Sequence, residues 1–392
     1  MRLRVAALMV VLLVLAVVQY LRPLPAVQPH ALLAASAHVP GAPPPLPWPG
    51  TGWAALGAVG LGVVATSGPE KPQPIASVAK VMTALVVLES KPLPAGQQGP
   101  ALAVTAEDVA DYAAKRDQGQ SVVRVEAGEQ LTEYQLLQGL LIPSGNNIAD
   151  LLARWVAGSV PAFVERMNAR AKVLGLKSTT FADTSGFDPK TVSTPSDLVR
   201  LGSAAIADPV LAEIVAQPQA ELPVAGTVYN VDYAVGQGGI AGIKTGSSPE
   251  AGACFLFSSP QRGFTIVGAV MGLGSLDDAF AATKALIRAA ASAMQTVPVV
   301  AKDQAVGRYV SPWGSQTDIL AGAQVLLVEW PGLLVRTHLE APAARAPLPP
   351  GSAAGTLLVT VGEQQVRVPL LTADPLFEPG NRWRLLRTDP VI

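Results

Sequence analysis

The sequence predicts an α+β fold, in which helices are inserted among antiparallel strands, followed by a small all-β domain. Between residues 52 and 294, strand-like runs punctuated by glycine alternate with longer helical runs, which is the pattern of such a sandwich. From about Val297 the sequence changes to short β runs divided by proline-rich turns. Hydrophobic residues make up 49% of the 392 and charged residues 15%, which is enough apolar material for a full core. We therefore expect one domain over 51–296 and a second over 297–392.

The elements can be assigned in order. Trp53 to Thr66 is typical of a strand pair, and an apolar helix follows from Ser77 to Leu88. Thr132, with Gln135 as its reciprocal partner, forms a capping box, so a helix is expected from Glu133 to Ile142. The other expected elements are helices through Trp155, over Pro161–Leu174 and over Leu276–Met294, and strands at 240–247, 252–259, 264–272, Val325–Glu329, Leu333–Leu339, Thr356–Val361 and Gln365–Leu370.

The N-terminus has the pattern of an exported protein. Arg2 and Arg4 precede an unbroken apolar run from Val5 to Val18, and residues 3–21 approach the length that spans a membrane. We expect an uncleaved anchor over residues 1–22. The alternative is a signal peptide removed near Ala35-Ser36-Ala37, but these small residues lie far beyond the apolar run. Both alternatives place the body of the protein outside the cytoplasm.

Residues 23–50 contain nine prolines with alanine and glycine between them. Such a segment is typical of an extended linker. We expect a spacer without a fold of its own, which holds the globular part away from the membrane.

Charge, cysteine and histidine content exclude several classes of function. The net charge of −1 argues against nucleic acid as a partner. Cys254 is the only cysteine, so an intrachain disulfide and a zinc–thiolate cluster are excluded. The three histidines are His30, His38 and His338, so the predicted first domain cannot contain a Ser-His-Asp triad or a histidine-ligated metal. Serine chemistry in that domain must use lysine as its base.

The first candidate site is Ser77-Val78-Ala79-Lys80, at the start of the apolar helix. Residues three apart share a helix face, so the hydroxyl and the amine become neighbours. The helix is apolar almost all round and is therefore buried, which lowers the pKa of Lys80 toward that of a useful base. A serine nucleophile needs such a base. The alternative is that Ser77 only caps the helix while Lys80 extends to solvent.

Two further motifs contain polar side chains at positions where they could take part in binding or catalysis. Ser144-Gly145-Asn146 lies on a turn between two predicted helices, where a hydroxyl and an amide can project into a cleft; the alternative is a helix break with an N-cap. Lys244-Thr245-Gly246 lies in a β run. There the lysine alone is an ordinary edge-strand residue, whereas the glycine lets a substrate backbone approach closely.

Ser77, Ser144 and Lys244 follow one another at separations of 67 and 100 residues, as S-x-x-K, S-x-N and K-T-G. In these motifs and spacings the chain resembles the serine DD-carboxypeptidases, the low-molecular-mass penicillin-binding proteins. The resemblance implies a penicillin-binding/β-lactamase-like domain, an antiparallel sheet with a helical cluster, plus a small C-terminal all-β domain. It covers 52–294, and more weakly the region to about 370, through connecting positions that include Gly128-Glu129, Leu174-Gly175-Leu176, Ser185-Gly186-Phe187-Asp188, Asn230 and Gly242-Ile243.

The resemblance also implies an activity and its catalytic residues. The expected enzyme removes the terminal D-alanine from peptidoglycan stem peptides outside the bacterial cytoplasm, without cofactor or metal. Ser77 would attack the peptide carbonyl to form an acyl-enzyme, and Lys80 would take its proton. Ser144 and Lys244 would pass that proton to the leaving amine, and Asn146 would hydrogen-bond both Lys80 and the substrate.

Substrate binding is assigned in the same way. Lys244 and Thr245 would face the terminal carboxylate, and Gly246 and Ser247 would continue the substrate-binding strand. The backbone N–H groups of Ser77 and Ser247 would form the oxyanion hole. β-Lactams, which resemble the D-Ala-D-Ala terminus, are the expected covalent inhibitors.

The chain departs from the family pattern at three places. Asn147 stands where the family usually has Asp, and the stretch 274–280 lacks the arginine that helps many members to hold the carboxylate. Many members end in an amphipathic membrane helix, whereas Pro379-Gly380 and Pro390 leave too few residues for one here. Anchoring is therefore assigned to residues 3–21.

Two alternative functions remain open. A class A β-lactamase shares the motifs, but it needs a deacylating glutamate past the second motif, and this chain has none between Glu165 and Glu213. A catalytically weak wall-binding protein on the same fold would account for Asn147 and the missing arginine. Against it stands the presence of all the motif residues.

Overall fold

A computed structural model describes residues 2–388, which form two compact units. The α+β unit comprises Pro40–Thr296 and Val328–Gly332. The β unit comprises the chain up to Val39, Val297–Leu327 and the chain from Leu333 onward. Met1 and residues 389–392, which belong to the predicted anchor and the predicted β domain, lie outside the described residues.

The helices and strands are numbered in chain order. The helices are α1 (Arg2–Leu21), α2 (Lys80–Ser90), α3 (Ala106–Asp117), α4 (Glu133–Leu141), α5 (Asn146–Ala157), α6 (Val160–Val173), α7 (Pro195–Ile206), α8 (Pro209–Val215), α9 (Leu276–Ala293) and α10 (Asn381–Leu386), with a 3-10 turn at Ala76–Ala79. The strands are β1 (Pro29–Ala31), β2 (Ser36–His38), β3 (Trp53–Ala58), β4 (Gly62–Ser67), β5 (Gln73–Pro74), β6 (Ala101–Ala103), β7 (Gln130–Thr132), β8 (Val192–Ser193), β9 (Gln219–Leu222), β10 (Gly226–Tyr229), β11 (Ile243–Ser248), β12 (Gly252–Gln261), β13 (Phe264–Leu273), β14 (Gln295–Val300), β15 (Ala305–Val310), β16 (Gln316–Ala321), β17 (Val325–Glu329), β18 (Leu334–Glu340), β19 (Ala353–Val361) and β20 (Gln364–Thr372).

The α+β unit is built on a five-stranded antiparallel sheet in the order β11-β12-β13-β3-β4. Helices α7 and α9 pack on the sheet, and α2 lies at the centre of a helical cluster with α4, α5, α6 and α7. Every residue of α2 from Lys80 to Leu88 is buried, because the helix is apolar almost all round. The predicted α+β class is confirmed, and the K-T-G strand β11 is an edge of the sheet.

Local signals placed most elements of this unit correctly. The capping box is present, since the Thr132 side chain accepts from the backbone N–H of Gln135 and the Gln135 side chain accepts from that of Thr132. The predicted helix from Ser77 differs, because its first residues form the 3-10 turn and regular α-helix begins only at Lys80.

The β unit contains a seven-stranded sheet in the order β1-β15-β16-β20-β19-β18-β2. Its two edge strands come from the segment that was expected to be a featureless spacer: β1 pairs with β15, and β2 pairs with β18. Val27 and Val39, which flank these strands, are buried. The expectation of a spacer without a fold is therefore wrong for this part of 23–50. Proline is tolerated on edge strands, so proline content alone did not exclude pairing.

Helix α1 is the N-terminal apolar helix. Its residues 4–21 have a mean hydropathy of 2.3 and are not buried, so by length and composition the helix can cross a membrane, although a signal sequence meets the same criteria. Arg387 lies at its C-terminal end and donates hydrogen bonds to the carbonyl oxygens of Arg22 (2.7 Å) and Pro23 (3.0 Å). These two residues follow the helix. Arg387 also donates to the carbonyl oxygen of Gln19 in the last turn (3.4 Å), one of the carbonyls that have no partner within a helix, so Arg387 acts as a cap.

Candidate active site

Ser77 and Lys80 are brought together by the 3-10 turn that leads into α2. In a 3-10 turn, residues three apart eclipse each other, and Lys80 Nζ donates a hydrogen bond of 2.8 Å to Ser77 Oγ. The Lys80 side chain is completely buried, so the alternative in which it extends to solvent is wrong. Neither the turn nor α2 begins with a side-chain cap. Ser77 is therefore not a capping residue.

The surroundings of Lys80 favour its neutral form. Burial lowers the pKa of Lys80 well below its usual value, and the charge of Lys244 lowers it further, while Asp183 and Asp150 act in the opposite direction. A second hydrogen bond of 3.2 Å runs from Lys80 Nζ to the carbonyl oxygen of Ser185. The amine is thus held in place against Ser77 Oγ, at a pKa that suits a base.

The backbone around Ser77 is closely packed from two sides. A Cβ atom added to Gly246 would lie 2.7 Å from the carbonyl oxygen of Ile75 and 3.0 Å from the nitrogen of Ser77. On the other side, a Cβ atom on Gly186 would lie 1.8 Å from the carbonyl oxygen of Ala76, a non-glycine residue with a φ of 45°. The sequence predicted that Gly246 lets a substrate backbone approach closely. In the structure, the lack of a side chain at Gly246 lets the backbone that carries Ser77 lie close to the strand.

Ser144 and Asn146 lie between α4 and α5, as the sequence predicted. Ser144 adopts a φ of 68°, in the left-handed region that costs energy for a non-glycine residue. The buried atoms Ser144 Oγ and Asn146 Oδ1 have no hydrogen-bond partner within residues 2–388. Asn146 Nδ2 donates a hydrogen bond of 2.6 Å to Gln120 Oε1. The expected bond between Asn146 and Lys80 is not among the contacts of the described residues.

Lys244 and Thr245 lie on the edge strand β11, and both side chains are buried. Burial lowers the pKa of Lys244 to about 8, and Asp232 acts against this shift. Asp232 is itself buried, and burial raises its pKa to about 6. Thr245 Oγ1 is a buried hydroxyl without a partner in the described part of the chain. A buried hydroxyl of this kind is free to bond to a ligand.

The first two motifs and Ser247, which follows the third motif, meet at a cavity of about 510 Å³. Ser77, Asn146 and Ser247 line it, together with Gln120 and the half-exposed Phe187. Lys80, Ser144, Lys244 and Thr245 are buried and do not line the cavity. The cavity therefore has room for a short peptide beside the Ser77 hydroxyl.

The structure gives Asn147 a definite role. Its Oδ1 accepts from the backbone N–H of Val123, and its Nδ2 donates to the carbonyl oxygen of the same residue, each at 2.9 Å. A carboxylate could accept the first bond but could not donate the second.

In the stretch 274–280, which lacks the arginine of many family members, helix α9 begins at Leu276, and the Asp277 carboxylate accepts a hydrogen bond from the Tyr233 hydroxyl.

Four residues around the site had no role assigned from the sequence: Gln120, Asp183, Ser185 and Asp232, of which only Ser185 lies in a stretch that carries the resemblance. Asp183 accepts hydrogen bonds from the backbone of the turn that presents the Ser185 carbonyl to Lys80, among them that of Gly186 at 3.0 Å. The Asp-Thr-Ser-Gly sequence of that turn was a usable signal. A single sequence carries no such signal for Gln120 or Asp232, since tertiary folding alone brings them to the motifs.

Residues 60–275, more than half of the chain, match the protein family described as D-alanyl-D-alanine carboxypeptidase. The chain belongs to this family. Solved structures with the same fold include a Streptomyces DD-transpeptidase, at 25% identity and a TM-score of 0.56 over 64% of this chain and 98% of that one. Penicillin binding protein 5 from Haemophilus influenzae matches at 20% identity and a TM-score of 0.65, over 86% of this chain and 100% of that one.

Two curated relatives illustrate the sequence similarity. D-alanyl-D-alanine carboxypeptidase DacB2 of Mycobacterium tuberculosis is 36% identical over 50% of this chain and 66% of its own length. A D-alanyl-D-alanine endopeptidase of Pseudomonas aeruginosa is 33% identical over 50% of this chain and 62% of its length. The chain thus spans just under two thirds of these relatives.

Proposed function

We propose that this chain is a serine DD-carboxypeptidase that removes the terminal D-alanine from peptidoglycan stem peptides through an acyl-enzyme on Ser77. The observation that carries the proposal is the 2.8 Å hydrogen bond between Ser77 Oγ and Lys80 Nζ, with Lys80 completely buried. A lysine whose charge is disfavoured by burial is the base that a serine hydroxyl requires where no histidine is present. We assign the chemistry to a catalytic domain over 51–296.

In the first step Ser77 Oγ attacks the carbonyl carbon between the two D-alanines, and its proton passes to Lys80 Nζ. The backbone N–H groups of Ser77 and Ser247 are assigned to the oxygen of the tetrahedral intermediate. Its collapse breaks the peptide bond. Ser144 and Lys244 pass the proton to the departing D-alanine amine, which leaves Ser77 acylated, and water then releases the shortened peptide.

Carboxylate recognition is assigned to Lys244 and Thr245. The partnerless Thr245 Oγ1 is buried on the same strand as Lys244 and can donate a directed hydrogen bond to an anion. Lys244 adds a positive charge in a place shielded from solvent, where its field is strong. These two residues offer recognition without the family's arginine, and the unpartnered Asn146 Oδ1 offers an acceptor for a substrate N–H.

The two alternative functions make different predictions. A β-lactamase would release hydrolysed penicillin quickly, whereas the absence of a glutamate between Glu165 and Glu213 leads us to expect a long-lived acyl-enzyme. A wall-binding protein without activity would form no acyl-enzyme. The Lys80–Ser77 geometry and the partnerless polar atoms favour a working site over an inactive wall-binding protein.

The test uses the full chain in detergent, a fluorescent penicillin, and a peptide ending in D-Ala-D-Ala. The adduct is located by peptide mass, with Ser77→Ala as the matched control, and D-alanine release is measured in parallel. We expect a stable adduct on Ser77, D-alanine release by the wild type, and neither with Ser77→Ala. An adduct without release would favour the endopeptidase activity named for some relatives, tested on cross-linked peptides. No adduct would overturn the proposal.

We further propose that the protein is held at the outer face of a bacterial cytoplasmic membrane by α1, uncleaved. Cleavage near Ala35-Ser36-Ala37 would cut β2 and remove β1, and so strip edge strands from the β-unit sheet. Arg387 also ties the end of α1 to the C-terminal segment. The mass of the protein extracted from membranes tests this: loss of about 35 residues from the N-terminus would overturn the proposed anchor.

A further inference from the structure

Gln120 is the residue that holds the Asn146 side chain at the cavity. Asn146 Nδ2 donates to Gln120 Oε1 at 2.6 Å, and Gln120 Nε2 in turn donates to Gln118 Oε1 at 2.8 Å. Both Gln120 and Asn146 line the cavity. Neither glutamine belongs to the three motifs.

This contact goes with one orientation of the Asn146 carboxamide, in which Nδ2 is the atom that faces Gln120. An asparagine side chain can turn over and exchange its donor for its acceptor. With Gln120 as acceptor, Nδ2 is held toward the cavity lining and Oδ1 is left buried, without a partner in the described residues. The site also contains the buried Lys80 and Lys244. The N–H groups of the neutral Lys80 amine and the positive charge of Lys244 both favour a carbonyl oxygen over an amino group near them.

The backbone beneath Gln120 is fixed independently of its side chain. The backbone N–H of Asn146 donates to the carbonyl oxygen of Ser121 at 2.8 Å, and Asn147 makes its two hydrogen bonds with Val123. The Gln120 N–H donates to the carbonyl oxygen of Lys115 at 3.0 Å. A change of the Gln120 side chain alone therefore leaves the loop in place.

We propose that Gln120 is a positioning residue for acylation: by accepting from Asn146 Nδ2 it holds the carboxamide in the orientation that leaves Asn146 Oδ1 as the acceptor for a donor in the site. The inference rests on the proposed function. Substrate or β-lactam then meets an amide that is already oriented, and Asn146 pays no reorientation cost during acylation.

The test compares the second-order rate of acylation by a fluorescent penicillin in three variants of the full chain. Gln120→Met keeps the length of the side chain but cannot accept the bond, and we expect acylation about five- to tenfold slower, as suits the loss of one hydrogen bond. Gln120→Glu keeps the acceptor, and its rate should lie within about twofold of the wild type. Gln97→Met, the control, removes an exposed amide that takes no part in this chain of hydrogen bonds and should acylate like the wild type.

The rescue by glutamate separates positioning from packing, since both substitutions preserve the side-chain length. Gln120→Met leaves the buried Asn146 Nδ2 without its acceptor and should lower the unfolding temperature modestly, whereas Gln120→Glu and the control should unfold like the wild type. Wild-type acylation rates in Gln120→Met, or equal losses in Gln120→Met and Gln120→Glu, would overturn the inference while leaving the proposed function standing. A wild type that is not acylated would overturn both.

Discussion

Lys80 and Lys244 are buried in the same site, and the charge of Lys244 lowers the pKa of Lys80. Two like charges that are both shielded from water repel each other strongly. The arrangement therefore favours one neutral and one charged lysine. Lys80, bonded to Ser77 Oγ, is suited to be the neutral base, and Lys244, whose pKa is about 8, is suited to be the cation.

The first prediction concerns the pH dependence of acylation. The rate should rise with pH as Lys80 loses its proton, at a pH well below the usual lysine pKa, and should fall above about pH 8 as Lys244 becomes neutral. Arginine stays protonated throughout this range, so Lys244→Arg should acylate more slowly but without the fall near pH 8. Penicillin acylation rates from pH 5 to 10 test this. An unchanged alkaline limb in Lys244→Arg would show that another group titrates there.

The second prediction concerns the contact between β11 and the turn that carries Ser77. In Gly246→Ala the new Cβ atom would meet the backbone of Ile75 and Ser77, which cannot rotate away. The strand must shift, and Ser247 moves with it, so acylation should fall at least about tenfold and stability by about 1–3 kcal/mol. Acylation rates and urea unfolding measure the two effects. Gly50→Ala is the control, because nothing lies within 4 Å of its added Cβ. Equal behaviour of the two variants would contradict the argument.

The third prediction concerns Asn147, where the family usually has Asp. In Asn147→Asp the carbonyl oxygen of Val123 loses its donor and faces a buried carboxylate. We expect a loss of about 1–3 kcal/mol in the free energy of unfolding at pH 7. The loss should shrink at low pH, because a protonated carboxyl can donate again. Urea unfolding at pH 7 and pH 4 tests this, with the exposed Gln118→Glu as control. A variant as stable as the wild type at pH 7 would show that the two bonds contribute little.

The fourth prediction concerns the edge strands contributed by the N-terminal segment. A chain that begins at residue 40 lacks β1 and β2, and leaves β15 and β18 as open edges of the β-unit sheet. Without these two pairings the sheet loses their hydrogen bonds and packing. This chain should therefore unfold at a lower temperature, and be cut faster by protease within 297–388, than a chain that begins at residue 23. Identical melting and digestion of the two chains would mean that the edge strands are dispensable.

Local patterns explain why much of the fold could be read from the sequence. The capping box at Thr132 and Gln135 and the apolar run after Ser77 act over a few residues, so they are visible without knowledge of the fold. The strands from Ile243 to Leu273 were found because glycine and serine-proline turns separate them. The pairing of residues 29–31 and 36–38 was missed, since the partner strands lie more than 270 residues away in the chain.

By itself, the sequence determined the family, the three motifs and the need for lysine as the base, because the spacing of reactive residues and the lack of histidine are properties of the chain. Only the tertiary structure decided which atoms meet. It buried Lys80 against Ser77, packed Gly246 onto the Ser77 turn, and joined Asn146 to Gln120. The reason is physical: contacts between distant segments depend on backbone packing and desolvation, which no local pattern encodes.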